Sequence, residues 1–344
     1  MKIAIISQPE YFRAFYENDL DVLGDVREFQ LKYTMTEADF VELEKFNADF
    51  NFFFRGEFVP DGVLKRLQGH KVSFSSEPFP NYVDGKLNYS PDSLHRFEKF
   101  KNITTKSYDY IFHYDKSSLQ FLAENGLHLS GEFVFPIALN VYKKKNLDKK
   151  WDVFFIGRST AYRERFLGLL KHYKNVLHIA HGVYGSELVD FINQSKLVLN
   201  LHAENEISWE PRVQMLLACG GMLLSHKITN NDYLIPGVDY IEIDNDDPSD
   251  LFSKVDYYLE NSEKRSAIAA NGLKKIQRYF DSVRRFRELI DGIDNGKYEK
   301  VHFDHEKISQ DNNMFKTNKR MANKFFNKLL NLFRFRRICR RIYR

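Results

Sequence analysis

The feature that most constrains the fold is a short helical segment enclosed by two strongly apolar strands. Residues 197–201 and 222–224 are apolar runs with the length of buried strands. Residues 209–219 between them are predicted to be helical, because a proline lies in the first turn and Gly220 and Gly221 follow the last. This order of strand, loop, helix and strand is typical of an open α/β sheet. Ligands of such sheets bind at the carboxyl ends of the parallel strands.

The rest of the chain repeats this alternation of strands and helices. Further strands are predicted at 3–6, 26–31, 51–54, 71–76, 108–114, 151–156, 176–180 and 239–243, with helical patterns between most of them. The alternation predicts mostly parallel sheets with helices on both faces. No G-x-G-x-x-G motif opens a helix after a strand, which argues against a dinucleotide-binding dehydrogenase.

The charged, apolar-poor stretch 143–150 divides the strands into two groups. We therefore predict an N-terminal α/β domain over 1–140 and a C-terminal α/β domain over 141–294. The latter closes with helices at 249–260, 262–272 and 280–293. A polar linker over 295–318 and a basic amphipathic helix over 319–344 are predicted to complete the chain. The crevice between the two domains is the expected ligand site.

The composition indicates a reducing compartment. The two cysteines, Cys219 and Cys339, are far apart and lie in unlike segments, which argues against a disulfide framework and favours the cytoplasm. The first apolar run is too short for a signal peptide. No run approaches the roughly 18 apolar residues of a membrane span.

The carboxyl-terminal segment differs from the rest of the chain in charge. Eleven of the 51 basic residues lie between 316 and 344 and none of the 47 acidic residues does, so the remainder is net acidic. Apolar residues including Phe325, Leu329 and Phe333 fall on one side of the predicted helix. The segment therefore predicts a helix in an anionic membrane interface, and hence peripheral attachment. Packing on the acidic body or on a partner subunit is the alternative. No nucleic-acid partner is expected, because no base-reading motif accompanies the charge.

Two charged residues stand at the start of the 209–219 helix. Glu210 is suited to accept hydrogen bonds from sugar hydroxyls, and Arg212 is suited to grip a phosphate. Alternatively, Glu210 only caps the helix dipole and Arg212 is a solvated surface charge. On the helix predicted near 162–173, Arg163 and Arg165 are expected to be surface charges.

Four segments of the second half carry a recognisable pattern. They are Phe-Pro-Ile-Ala at 135–138, Phe-Phe-Ile-Gly-Arg at 154–158, His-Gly-Val-Tyr-Gly-Ser-Glu-Leu at 181–188, and Arg-Val through Ala-Cys-Gly-Gly at 212–221. In order and spacing they resemble the group 1 type of glycosyltransferase domain, in its CgeB-like branch. The resemblance implies the GT-B fold, in which two Rossmann-like domains face each other across a cleft.

The implied activity is transfer of a sugar from a nucleotide sugar, such as a UDP or GDP sugar. The resemblance favours a glycan or lipid-linked glycan as acceptor and retention of the anomeric configuration. It implies no tightly bound cofactor and no metal. Assembly into a homo-oligomer stays open.

The resemblance also implies a donor site made from several loops. Gly157 would let the backbone approach the ligand, and Arg158 would reach the diphosphate. Val183 and Tyr184 would lie against the nucleotide base. An exposed arginine and ordinary loop packing are the structural alternatives. The expected donor-binding residues are Gly157, Arg158, Ser159, Gly182, Val183, Tyr184, Arg212, Gly220 and Gly221.

Three residues are candidates for the chemistry itself. Glu210 follows the central strand, and His202 lies at the carboxyl end of that strand, although core histidines are commoner there. Glu77 follows the 71–76 strand and is the best carboxylate of the first domain for binding an acceptor hydroxyl or taking its proton. Asp244 and Asp246 form a D-x-D pattern that is better interpreted as a solvated loop.

One residue departs from the family pattern. Met215 stands where these proteins usually have a glutamate that holds the ribose, and methionine is a poor hydrogen-bond acceptor. Either Glu206 or Glu210 replaces that contact, or the donor is held differently, or activity is lost. The rival interpretations are therefore an inverting fucosyltransferase-like enzyme and a nucleotide-sugar-binding scaffold with little turnover.

Overall fold

The computed structural model describes residues 1–17, 19–229 and 232–309. The strands of the first half are β1 (Lys2–Ser7), β2 (Asp25–Gln30), β3 (Phe50–Phe54), β4 (His70–Ser75), β5 (Asn81–Val83), β6 (Lys86–Asn88), β7 (Tyr110–His113), β8 (Leu127–His128) and β9 (Gly131–Glu132). Six of them form a parallel sheet in the order β2-β1-β3-β4-β7-β9. β5 and β6 form a separate antiparallel hairpin. Because β3 and β7 are buried along their whole length, they lie in the interior of the sheet.

Short helices cover this sheet. They are α1 (Pro9–Phe12), α2 (Val41–Phe46), α3 (Asp61–Arg66), α4 (Pro91–Phe100) and α5 (Leu119–Glu124). α4 begins after Ser90, which caps the helix by accepting from the backbone N–H of Ser93, and Pro91 occupies the first turn.

The second half forms a five-stranded parallel sheet. Its strands are β10 (Trp151–Ile156), β11 (Val176–Ile179), β12 (Ser195–Asn200), β13 (Met222–His226) and β14 (Ile241–Ile243), and its helices are α6 (Ala161–Tyr173), α7 (Gly185–Asn193), α8 (Arg212–Ala218), α9 (Pro248–Glu260), α10 (Ser262–Tyr279) and α11 (Ser282–Asp294). The strand order is β11-β10-β12-β13-β14. The two parallel sheets confirm the predicted α/β fold.

Two helices differ from the sequence prediction. α8 begins only at Arg212, so Trp209 and Glu210 lie in the preceding loop rather than in a helix. The backbone N–H of Trp209 donates to the Asp115 carboxylate of the first half, which holds this loop outside the helix. α10 continues past Gly272 to Tyr279. A Cβ at Gly272 would lie 2.5 Å from the carbonyl oxygen of Asp239. Gly272 therefore permits close packing and does not end the helix.

The chain passes between the two halves near residues 137 and 281. The backbone N–H of Ile137 donates to the carbonyl of Phe280 at 2.7 Å, where the two passages meet. α11 then packs on the first sheet, with the Phe286 ring 5.4 Å from that of Phe52. Thus α11, which the sequence assigns to the C-terminal domain, lies against the N-terminal one.

Part of the predicted linker packs on the first half as well. β15 (His302–Phe303) pairs antiparallel with β8, and residues 305–309 are helical. Val301, Phe303 and Ile308 supply the apolar contacts, a spacing too sparse to be recognised in a polar sequence. The rest of the linker and the basic helix predicted over 319–344 lie outside the described residues.

Within the described parts of the chain, no helix combines the length and the apolar content that crossing a bilayer requires.

Candidate functional site

Each sheet has a point where the strand order reverses, between β1 and β3 in the first and between β10 and β12 in the second. Loops at these carboxyl edges face each other. The ring of Tyr11, after β1, lies 6.5 Å from that of Tyr184, after β11. The guanidinium of Arg158, after β10, lies 3.8 Å from the Asp92 carboxylate in α4. The cleft between the halves therefore joins the two positions where open α/β sheets bind ligands.

An arginine pair surrounds Gly157 on the second side of this cleft. Arg212 Nη1 donates to the carbonyl of Ile156 at 3.0 Å, and Arg163 Nη1 donates to the carbonyl of Arg158 at 2.9 Å. Gly157 has a φ of +149°, and a Cβ at this position would lie 3.1 Å from Arg212 Nη1 and 3.2 Å from Arg163 Nη1. Glycine is therefore required both by the backbone conformation and by the close approach of the two guanidiniums.

The sequence prediction for Arg163 is wrong. Its side chain is only 3% exposed, and burial, together with the charge of Arg212, lowers the pKa of Arg163 to about 9. Arg163 still carries its charge at neutral pH. The sequence signal for its position is Thr160, a helix-capping residue three positions earlier. Thr160 caps α6 by accepting from the backbone N–H of Arg163, so Arg163 lies in the first turn, close to Gly157. Arg165 keeps the exposed hydrogen bond of a surface residue, to the carbonyl of Asp246.

Glu210 faces this arginine pair. Its Oε2 accepts from Arg212 Nη2 at 3.1 Å. Burial raises the pKa of Glu210, but the charges of Arg212, His202 and Arg163 act against burial and leave the pKa below its usual value. Glu210 is therefore a carboxylate that orients Arg212 at the edge of the cleft. Since one carboxylate faces two guanidiniums, the cluster keeps positive charge for an anion.

The rest of the loop after β10 is open to solvent. The Arg158 side chain is 61% exposed and reaches toward Asp92 of the opposite half. Ser159 Oγ lies 2.5 Å from Glu164 Oε1, so its hydroxyl is already engaged within the loop.

His202 lies at the end of β12 as expected, but it is fully buried. Its Nδ1 lies 2.6 Å from the carbonyl oxygen of Glu206 and therefore donates to it. Its backbone N–H donates to His226 Nδ1 at 3.0 Å. Burial lowers the pKa of His202. The ring is thus neutral at pH 7, and its Nε2, which has no partner among the described atoms, is an acceptor rather than a proton donor.

Glu77 does not have the surroundings expected of a general base. One carboxylate oxygen forms an ion pair with Arg55 and the other forms one with Arg96, and both contacts are very close. Arg96 is also bound to Asp92 at 2.8 Å. Because both oxygens are engaged by guanidiniums, Glu77 orders the arginines of the first half and is poorly placed to take a proton.

The loop expected to meet the base lies at the mouth of the cleft. Gly182 has a φ of +89° with open space around it, and Val183 is half-buried against the core. Tyr184 is 42% exposed and immediately precedes α7. Tyr11, which the sequence analysis missed, is 61% exposed and faces Tyr184 from the other half.

Gly220 and Gly221 are not part of this site. They precede β13 and so lie at the amino edge of the sheet, opposite the cleft. A Cβ at Gly221 would lie 2.7 Å from the Val198 side chain, and one at Gly220 would lie 3.1 Å from Lys144. The two glycines serve the tight connection from α8 to β13, which corrects the prediction that they bind the donor.

The D-x-D residues form local contacts. Asp246 Oδ1 accepts from Asn205 Nδ2 at 2.8 Å, and Asp244 Oδ1 accepts from the Asp246 backbone. Among the residues that the structure describes, no group of three or more His, Cys, Asp or Glu side chains is arranged to hold a metal ion.

Comparisons with known proteins place this geometry in context. Residues 142–291 match the sequence model of a family described as glycosyl transferase-like. No curated protein sequence matches the chain significantly.

Solved structures share the fold at low identity. HepE of Anabaena, solved with UDP and glucose, has a TM-score of 0.58 at 12% identity, covering 86% of this chain and 100% of that one. Sucrose-phosphate synthase of Thermosynechococcus elongatus has a TM-score of 0.57 at 12% identity, with the same coverage. An α-glucosyltransferase solved with UDP-glucose and DNA has a TM-score of 0.58 at 12% identity, covering 85% and 98%. The chain therefore shares the GT-B fold with these structures, and its residues 142–291 match the glycosyl transferase-like family model.

Proposed function

We propose that this protein transfers a sugar from a nucleotide-sugar donor to a glycan or lipid-linked glycan. The observation that carries the proposal is the guanidinium pair of Arg163 and Arg212 held against Gly157 at the point where the second sheet reverses its strand order. A nucleoside diphosphate is the leaving group of such a transfer, and it gains negative charge as the glycosidic bond breaks. Fixed cations in a partly buried site stabilise that charge.

The other residues have defined roles in this proposal. Arg212 and Arg163 bind the diphosphate, and the exposed Arg158 folds onto it from the cleft side. Val183 and Tyr184 contact the base. For His202, which is neutral and fully buried, the proposed role is to support Glu210 from within the protein and not to contact the donor. Glu210 orients Arg212 and accepts a second hydroxyl, which makes up for Met215.

We propose a UDP sugar as the first donor to test. HepE was solved with UDP and glucose, and the α-glucosyltransferase was solved with UDP-glucose. A GDP sugar is the alternative. Because the cations at the diphosphate position are arginine side chains, we also propose turnover without a divalent ion, which is tested by assaying the enzyme after exhaustive treatment with EDTA.

Retention of configuration is the stereochemical part of the proposal. The best-placed carboxylate of the first half, Glu77, is bound by Arg55 and Arg96, so it is not available as the base that inversion requires. The anomeric configuration of the product, read by proton NMR, decides between retention and the inverting fucosyltransferase-like alternative.

Membership of the CgeB-like branch and attachment to anionic membranes through 319–344 are further parts of the proposal. The first rests on the four sequence segments. The second rests on the basic and apolar composition of 319–344. A lipid-linked acceptor fits a cleft held near a membrane surface.

Incubation with a panel of UDP, GDP and dTDP sugars tests the proposed activity. Slow hydrolysis of one donor, with release of its nucleoside diphosphate, is the expected result. Binding without release would favour the scaffold interpretation. No binding and no release with any member would overturn the proposal.

A further inference from the structure

The loop between β12 and α8 is held by side chains from the opposite half of the molecule. The carbonyl of Ile207 accepts from Asn81 Nδ2 at 2.8 Å and from Asn88 Nδ2 at 2.9 Å. The two asparagines also bind each other, since Asn88 Nδ2 donates to Asn81 Oδ1 at 2.8 Å. Both belong to the β5–β6 hairpin, which thus reaches across the cleft to a main-chain atom of the second half.

A second attachment lies two residues further along this loop. Asp115 follows β7 in the first sheet, and its Oδ2 accepts from the backbone N–H of Trp209 at 3.1 Å and from Thr229 Oγ1 at 2.9 Å. Its Oδ1 accepts from the backbone N–H of Ser117 at 3.0 Å and from its hydroxyl at 2.6 Å. Four hydrogen bonds therefore fix this carboxylate, which is only 4% exposed.

These contacts are shielded from water. Asn81 is 1% exposed and Trp209 is 3% exposed. The Trp209 ring stacks on Phe280 with 6.1 Å between centroids and 19° between planes. Hydrogen bonds in such surroundings are not weakened by competing water, so the loop is fixed at residues 207 and 209.

The attached backbone leads directly into the donor side of the cleft. Glu210 is the next residue after Trp209, and its carboxylate holds Arg212 beside Gly157. We propose that Asn81, Asn88 and Asp115, here called the clasp, are positioning residues for the transfer reaction. They place Glu210 and Arg212 through the backbone at 207 and 209, without touching the donor. This inference rests on the proposed function.

Positioning of this kind acts on the rate more than on binding. A displacement of about 1 Å in a catalytic group can cost on the order of 10²-fold in rate. Such a shift displaces Arg212 without removing its charge, and Arg163 stays in place because its bonds to Leu201 and Arg158 lie within the second half. Loss of the clasp should therefore lower kcat while the nucleoside diphosphate still binds.

The test uses the full chain and the nucleotide sugar that the wild type hydrolyses fastest in the panel. The double variant Asn81→Leu/Asn88→Leu and the variant Asp115→Ala are compared with Asn51→Leu. Asn51 is a matched control, because its buried amide also donates to a backbone carbonyl, that of Gln68 at 2.9 Å, but within the first half. Asp115→Asn keeps one acceptor oxygen and should recover part of the kcat lost in Asp115→Ala.

We expect the clasp variants to lose about 10-fold or more in kcat, with the Kd of the matching nucleoside diphosphate changed less than about 3-fold. Asn51→Leu should lower the Tm but keep kcat. Amide hydrogen exchange of residues 205–211 should become faster in the clasp variants only.

Three results would count against the inference. Clasp variants with wild-type kcat would overturn it, and so would a loss of kcat no larger than that of Asn51→Leu at equal loss of Tm. A parallel loss of nucleoside diphosphate binding would assign the clasp to the binding site instead. A wild-type chain that neither binds nor hydrolyses any donor would reject the proposed function itself, which is a distinguishable outcome.

Discussion

Because Gly157 has no Cβ, the guanidiniums of Arg212 and Arg163 can lie against its backbone. In Gly157→Ala, the added methyl group would lie within about 3.2 Å of Arg212 and Arg163. The alanine backbone would also have to adopt a φ of +149°. We expect donor hydrolysis to fall by about 10²-fold, because the arginines must move away from the diphosphate.

The matched control for this variant is Gly237→Ala. Gly237 also has a positive φ, +80°, but it has no neighbour within 4 Å of the added Cβ. It should lose stability by about 1 kcal/mol through backbone strain and keep the wild-type rate of hydrolysis. Equal rates in the two alanine variants would refute the role of the arginine pair.

Glu206 provides a residue-scale test that depends on pH. Burial, followed by the nearby carboxylates Glu210, Glu204 and Asp92, raises the pKa of Glu206 to about 7, against the opposing hydrogen bond from Ser90. The folded state therefore holds a proton that the unfolded state releases near pH 4.5, so stability falls as the pH rises from about 4.5 to 7.

We expect Glu206→Gln to remove this loss. The variant should be more stable than the wild type by about 3 kcal/mol at pH 8 and nearly equal to it at pH 4.5, since a pKa raised from 4.5 to about 7 is worth about 1.4 kcal/mol per unit. Thermal unfolding at the two pH values measures it. A stabilisation of the same size at both would contradict a buried, proton-binding Glu206.

At the scale of elements, two helical glycines have opposite roles. Gly272 in α10 lies where a Cβ would be 2.5 Å from the Asp239 carbonyl and 2.7 Å from the Leu217 side chain. Gly168 in α6 has no neighbour within 4 Å of an added Cβ. We expect Gly272→Ala to lower the free energy of unfolding by about 1–3 kcal/mol and Gly168→Ala to raise it by about 0.5–1 kcal/mol, as measured by denaturant unfolding. A change of the same sign in the free energy of unfolding of both variants would show that helix propensity, and not packing, determines the effect of alanine at these positions.

These elements also show how far sequence reasoning reaches. The strands of both sheets except the two-residue β9 were predictable, because most of them contain apolar runs that are too long to arise by chance, as at 197–201 and 151–156. The start of α8 was not predictable, because Trp209 is held in the preceding loop by a hydrogen bond to Asp115, which lies almost a hundred residues away in the chain. Local patterns contain no information on such contacts. For the same reason the burial of Arg163 and the ion pairs of Glu77 were missed, since each depends on partners from another element.

At the scale of the whole molecule, the prediction concerns the basic segment that follows the described residues. Attraction to anionic lipid is worth about 1 kcal/mol per basic residue near the surface. We expect the full chain to bind vesicles containing anionic lipid, with binding that weakens as salt increases, and a chain ending at residue 311 to stay in solution with its donor site intact. Equal sedimentation of the two chains with the vesicles would contradict membrane binding by this segment and would favour packing in a protein interface.

The central claim is that Arg163 and Arg212 bind the diphosphate of a nucleotide-sugar donor. Calorimetric titration with the nucleoside diphosphate named by the donor panel, and with its parent nucleoside, measures this most directly. We expect the wild type to prefer the diphosphate by about 10²-fold or more, and folded Arg163→Met and Arg212→Met variants to lose most of that preference while nucleoside binding changes little. Equal affinity of the wild type for both ligands, or an undiminished preference in both variants, would contradict the claim.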